Sequence, residues 1–517
     1  MPASVEEIEL THPATAPPLT RDSSFASLSS KLADDSRPPS RAVLPTLAHL
    51  SGAAANESGR SSLVEEEPEQ RMRRLSMGDE TDAEGEALPP VDRGKDAWLF
   101  VVAGFILETF IWGLGYAFPS VLVYLQTHDP WQQSSLAALS AVGTVLLAVQ
   151  FMLPIIVITV FRRYPEWVRT MLWCSVVLNC GSMLAASWAK NVSQLIILVG
   201  VLGGISGAVM YAPVLLWLNE WWHARRGLAS GIVFAGTGIG GLVFPFLLSA
   251  LLNHGGFVLM ARVWAGVTFA VYIPAVWFLR PRVPPRKPKG GVRGPWLAVD
   301  WGFLKDPVVL VMTATTALAS LATFPVTLFL PTYTLALSTS RNSDLVVSIY
   351  NLSGSLGSTV TGWASDISLP ATVLVMGSVG GLLAFTAWGF AAHLGTVFAF
   401  GVLFSFFTQI CSAWGAAARD SAGSNSHTST LIFCTFGIVR GIASIVGPFI
   451  STTLYDPNRD RTGDYSDPSW GRYGFSKVIV FVGVMSFGSA LGGVGLWWAR
   501  REKRRREEIK RGSEAAR

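Results

Sequence analysis

The sequence predicts an all-α membrane protein, with twelve transmembrane helices in two six-helix bundles behind a disordered N-terminal tail. Three observations carry this. Half of the 517 residues are hydrophobic and only 15% are charged, a balance suited to lipid rather than water. The apolar residues gather into twelve stretches, each near the ~20 residues that cross a bilayer. Charge is also segregated. Up to Asp96 there are 10 basic and 18 acidic residues, a net of −8, so the remainder carries +13 to reach the overall +5. An acidic tail precedes a basic membrane domain.

The tail comes first. Met1 to Asp96 is rich in Ser, Pro, Ala and Glu without periodic apolar residues, so it cannot bury enough surface to fold alone. Within it, Arg71-Met-Arg-Arg-Leu-Ser76 has the form of a basophilic kinase site, where a phosphate would add charge to a mobile segment. No apolar signal-peptide region opens the chain, so the first membrane helix is expected to act as its own insertion signal.

The first six spans are expected at Trp98–Val121, Leu136–Phe161, Val168–Trp188, Ser193–Leu216, Gly227–Leu252 and Val263–Leu279, read from continuous apolar runs bounded by charge or turn residues. The second six are expected at Pro307–Thr332, Asp344–Ala364, Ala371–Ala391, Gly395–Trp414, Thr430–Leu454 and Lys477–Trp498. Pro119, Pro154, Pro213, Pro245, Pro274 and Pro325 lie in or at the ends of these helices and should bend them by freeing a backbone carbonyl. Between the two sets lies Pro281 to Asp306, basic and broken by Pro and Gly, too polar to cross and too interrupted to be helical. The resulting organisation is residues 1–96 tail, 97–280 first bundle, 281–306 linker, 307–499 second bundle and 500–517 basic tail.

Lys and Arg placement sets the orientation. Alternate loops hold Arg162, Arg163 and Arg169; then Arg225 and Arg226; then Arg280 to Arg293; the C-terminal run Arg500 to Arg511 follows. Basic residues resist translocation, so both termini and the linker are expected in the cytoplasm. The loop Tyr455 to Ser476, with Arg459, Arg461 and Arg472 among four aspartates, is the exception. Positive loops account for the basic excess, and no nucleic-acid partner is needed. Six helices, a cytoplasmic linker and six more is the layout of the major facilitator fold, with substrate between the halves near the midplane.

A second signal is Trp221 to Gly241, WWHARRGLASGIVFAGTGIGG. Two basic residues, then Leu-Ala-x-Gly, then Ala-Gly-x-x-x-Gly resemble the fifth-helix signature of monocarboxylate-porter-type major facilitator transporters. Here the signature is carried by Arg225, Arg226, Leu228, Ala229, Gly231, Ala235, Gly236 and Gly240. Asp92 to Trp98 is similar to the start of that family's first helix, and Tyr116-Ala-Phe-Pro119 to its exit. Where animal carriers follow with a substrate-binding lysine, this chain has Ser120. Where their eighth helix holds an Asp/Arg pair, Asn351 to Ser358 offers Gly354 and Ser358. Leu107 to Gly113, Tyr211 to Glu220, Phe303 to Pro307 and Gly437 to Gly441 resemble the fungal branch instead.

The resemblance implies a secondary transporter for a small organic solute, a monocarboxylate or related organic anion, working by alternating access with a proton as candidate coupling ion. A non-transporting receptor on the same fold, using the tail as output, is the alternative. No catalytic constellation or cofactor motif is visible, so the chain is expected not to be an enzyme and to hold no metal. Cys174, Cys180, Cys411 and Cys434 are scattered in apolar runs and read as free thiols. The expected partners are the bilayer, the solute and protons, and the expected location is the plasma membrane rather than the vacuolar membrane. The sequence leaves the oligomeric state open.

Glu108 and Arg440 are the charges deepest in the spans. A charge at midplane costs at least ~2.5 kcal/mol, so it faces a partner or a cavity. Two readings stand side by side: a structural bridge, or Arg440 binding the substrate carboxylate while Glu108 carries the coupling proton. Tyr116, Tyr211 and Asn351 are the further candidate substrate-binding residues. Glu220, Arg225 and Arg226 are candidate gate residues: Glu220 either pairs with one of the arginines and helps close the inside gate, or is a plain interfacial charge. Asp366 of Gly362-Trp-Ala-Ser-Asp366 resembles the facilitator loop aspartate that latches the cytoplasmic gate. Gly231, Gly236 and Gly240 are expected to let the fifth helix pack closely on the eighth, facing Gly354, Ser355, Gly357 and Ser358.

Overall fold

The computed structural model describes residues 88–222, 225–284, 301–423, 426–456 and 470–515. The kinase-like site at Ser76 and most of the linker and of the last external loop fall outside them. Among the described residues, ten helical stretches are long and apolar enough to cross a bilayer. Leu228–Phe278 has 51 residues and Arg341–Trp388 has 48, each too long for one crossing at 1.5 Å per residue. Each breaks in the middle, at Gly255–Gly256 and at Ser368, so the ten stretches make twelve crossings.

The helices are α1 Lys95–Thr127, α2 Leu136–Arg163, α3 Val168–Ala186 and α4 Val192–Trp221. Next come α5, 226–254, and α6, 257–278, within the stretch Arg226–Phe278. In the second half are α7 Pro307–Leu337, α8 at 340–367 and α9 at 369–388. They are followed by α10 Leu394–Ala422, α11 Ser426–Leu454 and α12 Ser476–Ala515. Pro154 starts a new segment in α2 after Met152, because its ring cannot continue the hydrogen-bond ladder. A π-helical run, Ile196–Leu202, interrupts α4.

Several boundaries differ from expectation: α1 runs on to Thr127, α4 to Trp221, α7 to Leu337 and α10 to Ala422. The sixth helix starts at 257, before Val263, because Gly256 at φ 69° makes the turn, a conformation that costs glycine little. Arg262 therefore lies inside α6, where its Nε donates to Ser187 Oγ at 3.3 Å and its guanidinium covers the Trp188 ring. The turn brings Phe244 of α5 back against Trp264 of α6, ring centroids 4.8 Å apart, with Phe110 of α1 touching both. The twelfth helix runs to Ala515, well past the expected Trp498.

The first six helices pack among themselves, as do the last six, and the sets meet along α2–α11 and α5–α8. The buried core is asymmetric along the helix axes. At the end away from the termini, one continuous cluster includes Leu122, Leu139 and Leu248 of the first half with Val326, Tyr333 and Phe400 of the second. At the end carrying the termini, the core splits. One cluster around Phe100, Phe161 and Trp222 belongs mostly to the first half, and another around Met312, Trp414 and Leu496 to the second. The apolar core is shared by the halves at one end and largely divided between them at the other.

Candidate functional site

Glu108 on α1 and Arg440 on α11 are buried, with exposures of 3% and 5%. No ion pair joins them among the described residues, so the mutual bridge is absent. Thr237 Oγ1 of α5 donates to Glu108 Oε1 at 3.2 Å. Glu108 Oε2 and Nε1 of Trp112, one turn along, are both buried; they interact with each other and reach no other hydrogen-bond partner. Arg440 Nη1 donates to Ser320 Oγ of α7 at 3.3 Å, while its Nε is buried and unpartnered. The guanidinium carbon lies 5.3 Å from the Phe151 ring of α2 and 4.9 Å from the Phe324 ring of α7. One ring comes from each half.

Three further side chains stand within electrostatic reach of Arg440: Tyr116 of α1, Tyr350 of α8 and Cys411 of α10. Tyr116 is coupled to Glu108 as well. Tyr211 of α4 meets Trp112 edge to face at 5.3 Å and also feels Glu108. Beside this group α10 loses its helix: Leu394–Phe407 ends, and a 3₁₀ turn at Ile410–Ala413 precedes Trp414–Ala422. Broken helices at membrane depth are tolerated where their freed backbone lines a cavity or is buried in protein. The result is an aromatic cluster between the halves, with the Glu108 carboxyl on one side and Arg440, its Nε unpartnered, on the other. A planar guanidinium in such a place can hold a carboxylate through two parallel hydrogen bonds.

The structure thus brings together Glu108, Tyr116, Tyr211 and Arg440. It adds Trp112, Phe151, Thr237, Ser320, Phe324, Tyr350 and Cys411, which sequence reasoning missed. Ser320 and Thr237 carried a weak signal as polar residues within apolar spans; the aromatics carried none.

Asn351 is positioned differently. Its Nδ2 donates to the backbone oxygens of Gly241, at 3.1 Å, and Tyr116, at 3.4 Å. Its amide hydrogens tie α8 to α5 and α1 across the halves. One turn along the same face, Ser355 abuts Gly238, and a Cβ added at Gly238 would collide with its Oγ. A Cβ at Gly241 would stand 2.5 Å from Asn351 Cβ. Two turns outward from Asn351, Asp344 is buried and interacts with Ser249 of α5 and Ser120 of α1. The face 344, 351, 355 is therefore a polar seam between the halves.

This corrects the expected glycine packing. Gly236 and Gly240 do not face α8. A Cβ at Gly236 would strike Phe105 O, and one at Gly240 would lie 2.5 Å from Thr109 O, both on α1. The register explains it, since 236 and 240 share one helical face while 238 and 241 lie on another. Gly354 and Gly357 likewise turn to Ser405 and Phe406 of α10, leaving Ser355 to meet α5. Among the described residues Gly231 packs on nothing: none of their atoms lies within 4 Å of its added Cβ. It is seven residues before Gly238, hence on the same face, and Phe234 and Ala235 beside it are exposed. The seam is closed from Ser355 outward and open toward the end carrying the termini.

The gate residues also find other partners. Glu220 does not pair with Arg225. Its Oε2 accepts the backbone N–H groups of Arg282 at 3.2 Å and Val283 at 3.4 Å. Burial pushes the Glu220 carboxyl above its ordinary value, and these two N–H groups oppose the shift. Arg225 offers its backbone N–H to Asp92 Oδ1 at 2.9 Å; the side chain of Arg226 lies outside the described residues. Arg282 Nε in turn donates to Pro89 O at 2.8 Å, and Trp221 Nε1 to Arg280 O at 2.8 Å. These bonds gather the start of α1, the end of α4 and the exit of α6 within one half. Asp366 pairs with Arg419 of α10, both largely exposed and both in the second half. That pair stitches α8 to α10 and does not span the gate.

Residues 100–448 match the Major Facilitator Superfamily. The chain is 31% identical over 215 residues to the MFS-type transporter pytF of Aspergillus terreus, covering 41% of this chain and 71% of that protein. It is 26% identical over 413 residues to the aspyridones efflux protein apdF of Emericella nidulans, covering 78% and 80%. Among solved structures it is similar to a bacterial homolog of the human lysosomal transporter Spinster, with a TM-score of 0.53 and 13% identity over 79% of this chain and 98% of that one.

Proposed function

Because the chain belongs to the Major Facilitator Superfamily, we propose that it moves a small organic anion, a monocarboxylate or a related acid, across a membrane by alternating access. The homologues are transporters and efflux proteins, which supports secondary transport. The words efflux protein in a relative spanning most of the chain favour export. The single observation that carries the anion reading is Arg440: buried between the halves, in contact with two aromatic rings, with Nε unsatisfied and no carboxylate partner among the described residues. A buried cation without a counter-ion is expensive, and an incoming carboxylate relieves that cost. The aromatic surroundings select an acid with an apolar body. Glu108, held by Thr237 and beside Trp112, carries the coupling proton in this reading. Termini in the cytoplasm and the plasma membrane as location complete it.

The test uses purified protein in proteoliposomes with labelled organic acids of graded apolar size. Arg440→Lys should lower anion affinity by tenfold or more, since an ammonium cannot form the two parallel bonds. Glu108→Gln should retain exchange of internal for external acid while losing stimulation by a pH gradient. Full affinity for acids in folded Arg440→Gln would overturn the anion reading. Specific binding without flux in either direction would favour the receptor.

A further inference from the structure

Along α12, Val480, Val484, Phe487, Leu491, Val494 and Trp498 are exposed, Leu491 by 70%. At about 100° per residue these positions share one side of the helix, so this is the side α12 turns to acyl chains. The helix continues through Trp497 and Trp498 into Arg500-Arg-Glu-Lys-Arg-Arg-Arg506. Its other side is docked. Arg500 Nε donates to Asp420 Oδ2 at 2.7 Å, and Lys503 Nζ to Asp306 Oδ2 at 3.0 Å, holding α12 to the ends of α10 and α7. Asp306 also caps α7 through the Val308 N–H at 2.8 Å.

Docking fixes the rotation of the extension. Trp497, Trp498, Arg501, Arg504 and Arg505 then fall within an arc of about 120°, continuous with the exposed apolar stripe. All five are exposed. Arg501 stacks over Trp497 at 3.6 Å. Glu502, at the edge of this arc, is paired with Arg506 at 3.0 Å, and Glu508 lies within the arc one turn beyond Arg504. From Trp498 to Arg505 the helix advances about 10 Å, which carries the arginines through the headgroup layer of about 5–8 Å and just past it.

We propose that Arg501, Arg504 and Arg505, with Trp497 and Trp498 beneath them, form a binding site for anionic phospholipid headgroups of the adjoining leaflet. The occupant follows from continuity. A side chain that succeeds a lipid-facing stripe meets the headgroups of those same lipids, and three guanidinium groups there select phosphate-bearing anionic heads over zwitterionic ones. The tryptophans set the depth. This inference is independent of the solute carried.

The experiment places the full chain in nanodiscs of phosphatidylcholine containing trace spin-labelled phosphatidylserine. Lipid association is measured for wild type, Arg501→Gln/Arg504→Gln/Arg505→Gln, and the corresponding triple Lys variant. Each charge near the surface is worth about fivefold, so the Gln variant should lose phosphatidylserine preference by roughly a hundredfold, and the Lys variant should retain most of it. Raised salt should weaken wild-type preference and leave the Gln variant unchanged. Undiminished preference in the folded Gln variant overturns the site. Displacement of the lipid by millimolar inorganic phosphate would assign the arginines to soluble anions and overturn it as well.

Discussion

Phe151 and Phe324 approach the Arg440 guanidinium to 5.3 and 4.9 Å from opposite halves. A cation against ring faces gains electrostatically without a counter-charge, which lets the site wait for an anion while staying folded. Replacing Phe324 by Leu preserves apolar volume and removes one of these contacts. The variant should lose about 1–2 kcal/mol of stability, since the contact is desolvated, and bound acid should restore part of it. Thermal unfolding with and without the acid measures both; an equal deficit in either condition would place the ring outside the site. At this scale the sequence was half legible. Glu108 and Arg440 announce themselves as lone charges in apolar spans. Phe151, Phe324 and Trp112 are apolar residues among apolar residues, and only helix packing separates them from lipid-facing ones.

Between helices, the seam of α8 on α5 and α1 rests on contacts that hydrophobic pattern reading does not rank. Asn351 donates to Gly241 O and Tyr116 O, and Ser355 fills the space left by Gly238. Asn351→Leu removes both hydrogen bonds and presses a branched side chain toward Gly241. The end away from the termini should then open more often. In a background without the native cysteines, a cysteine at Ser444 near Thr144, where α11 meets α2 toward that end, should be alkylated several-fold faster by an impermeant reagent; an unchanged rate would show that the bonds do not hold the seam. The small-residue signature of the fifth helix was visible, but its faces were misassigned. A glycine pattern says that something comes close without saying which neighbour, and here Gly236 and Gly240 serve α1 while Gly238 and Gly241 serve α8.

For the whole molecule, twelve crossings and their division six and six could be read directly, because bilayer thickness imposes a length on every apolar run. Boundaries were less legible where polarity and geometry disagree. Arg262 reads as the edge of a span, yet Gly255 and Gly256 make the turn and Arg262 enters α6 with Ser187 and Trp188 as partners. The core was not legible at all in its most functional respect. Nothing in composition reveals that apolar residues from both halves merge at one end and separate at the other. That asymmetry is a property of one conformational state, and a sequence encodes every state that the chain visits.

Gly231 shows what that multiplicity demands. Its face is empty here, so a larger side chain would be free of collision. The same face continues the one on which Gly238 receives Ser355, so a state that extends the seam toward the termini would bring α8 onto it. Gly231→Leu should therefore act as a doorstop. Ligand reaching the cluster from the open side should bind with unaltered Kd, while turnover and counterflow fall at least tenfold because the return stroke stalls. Stopped-flow binding beside steady-state exchange separates the two quantities, and equal losses in both would mean that the doorway lies elsewhere. The requirement for a small residue at Gly231 would then come from a contact that is absent from the state in which it is seen.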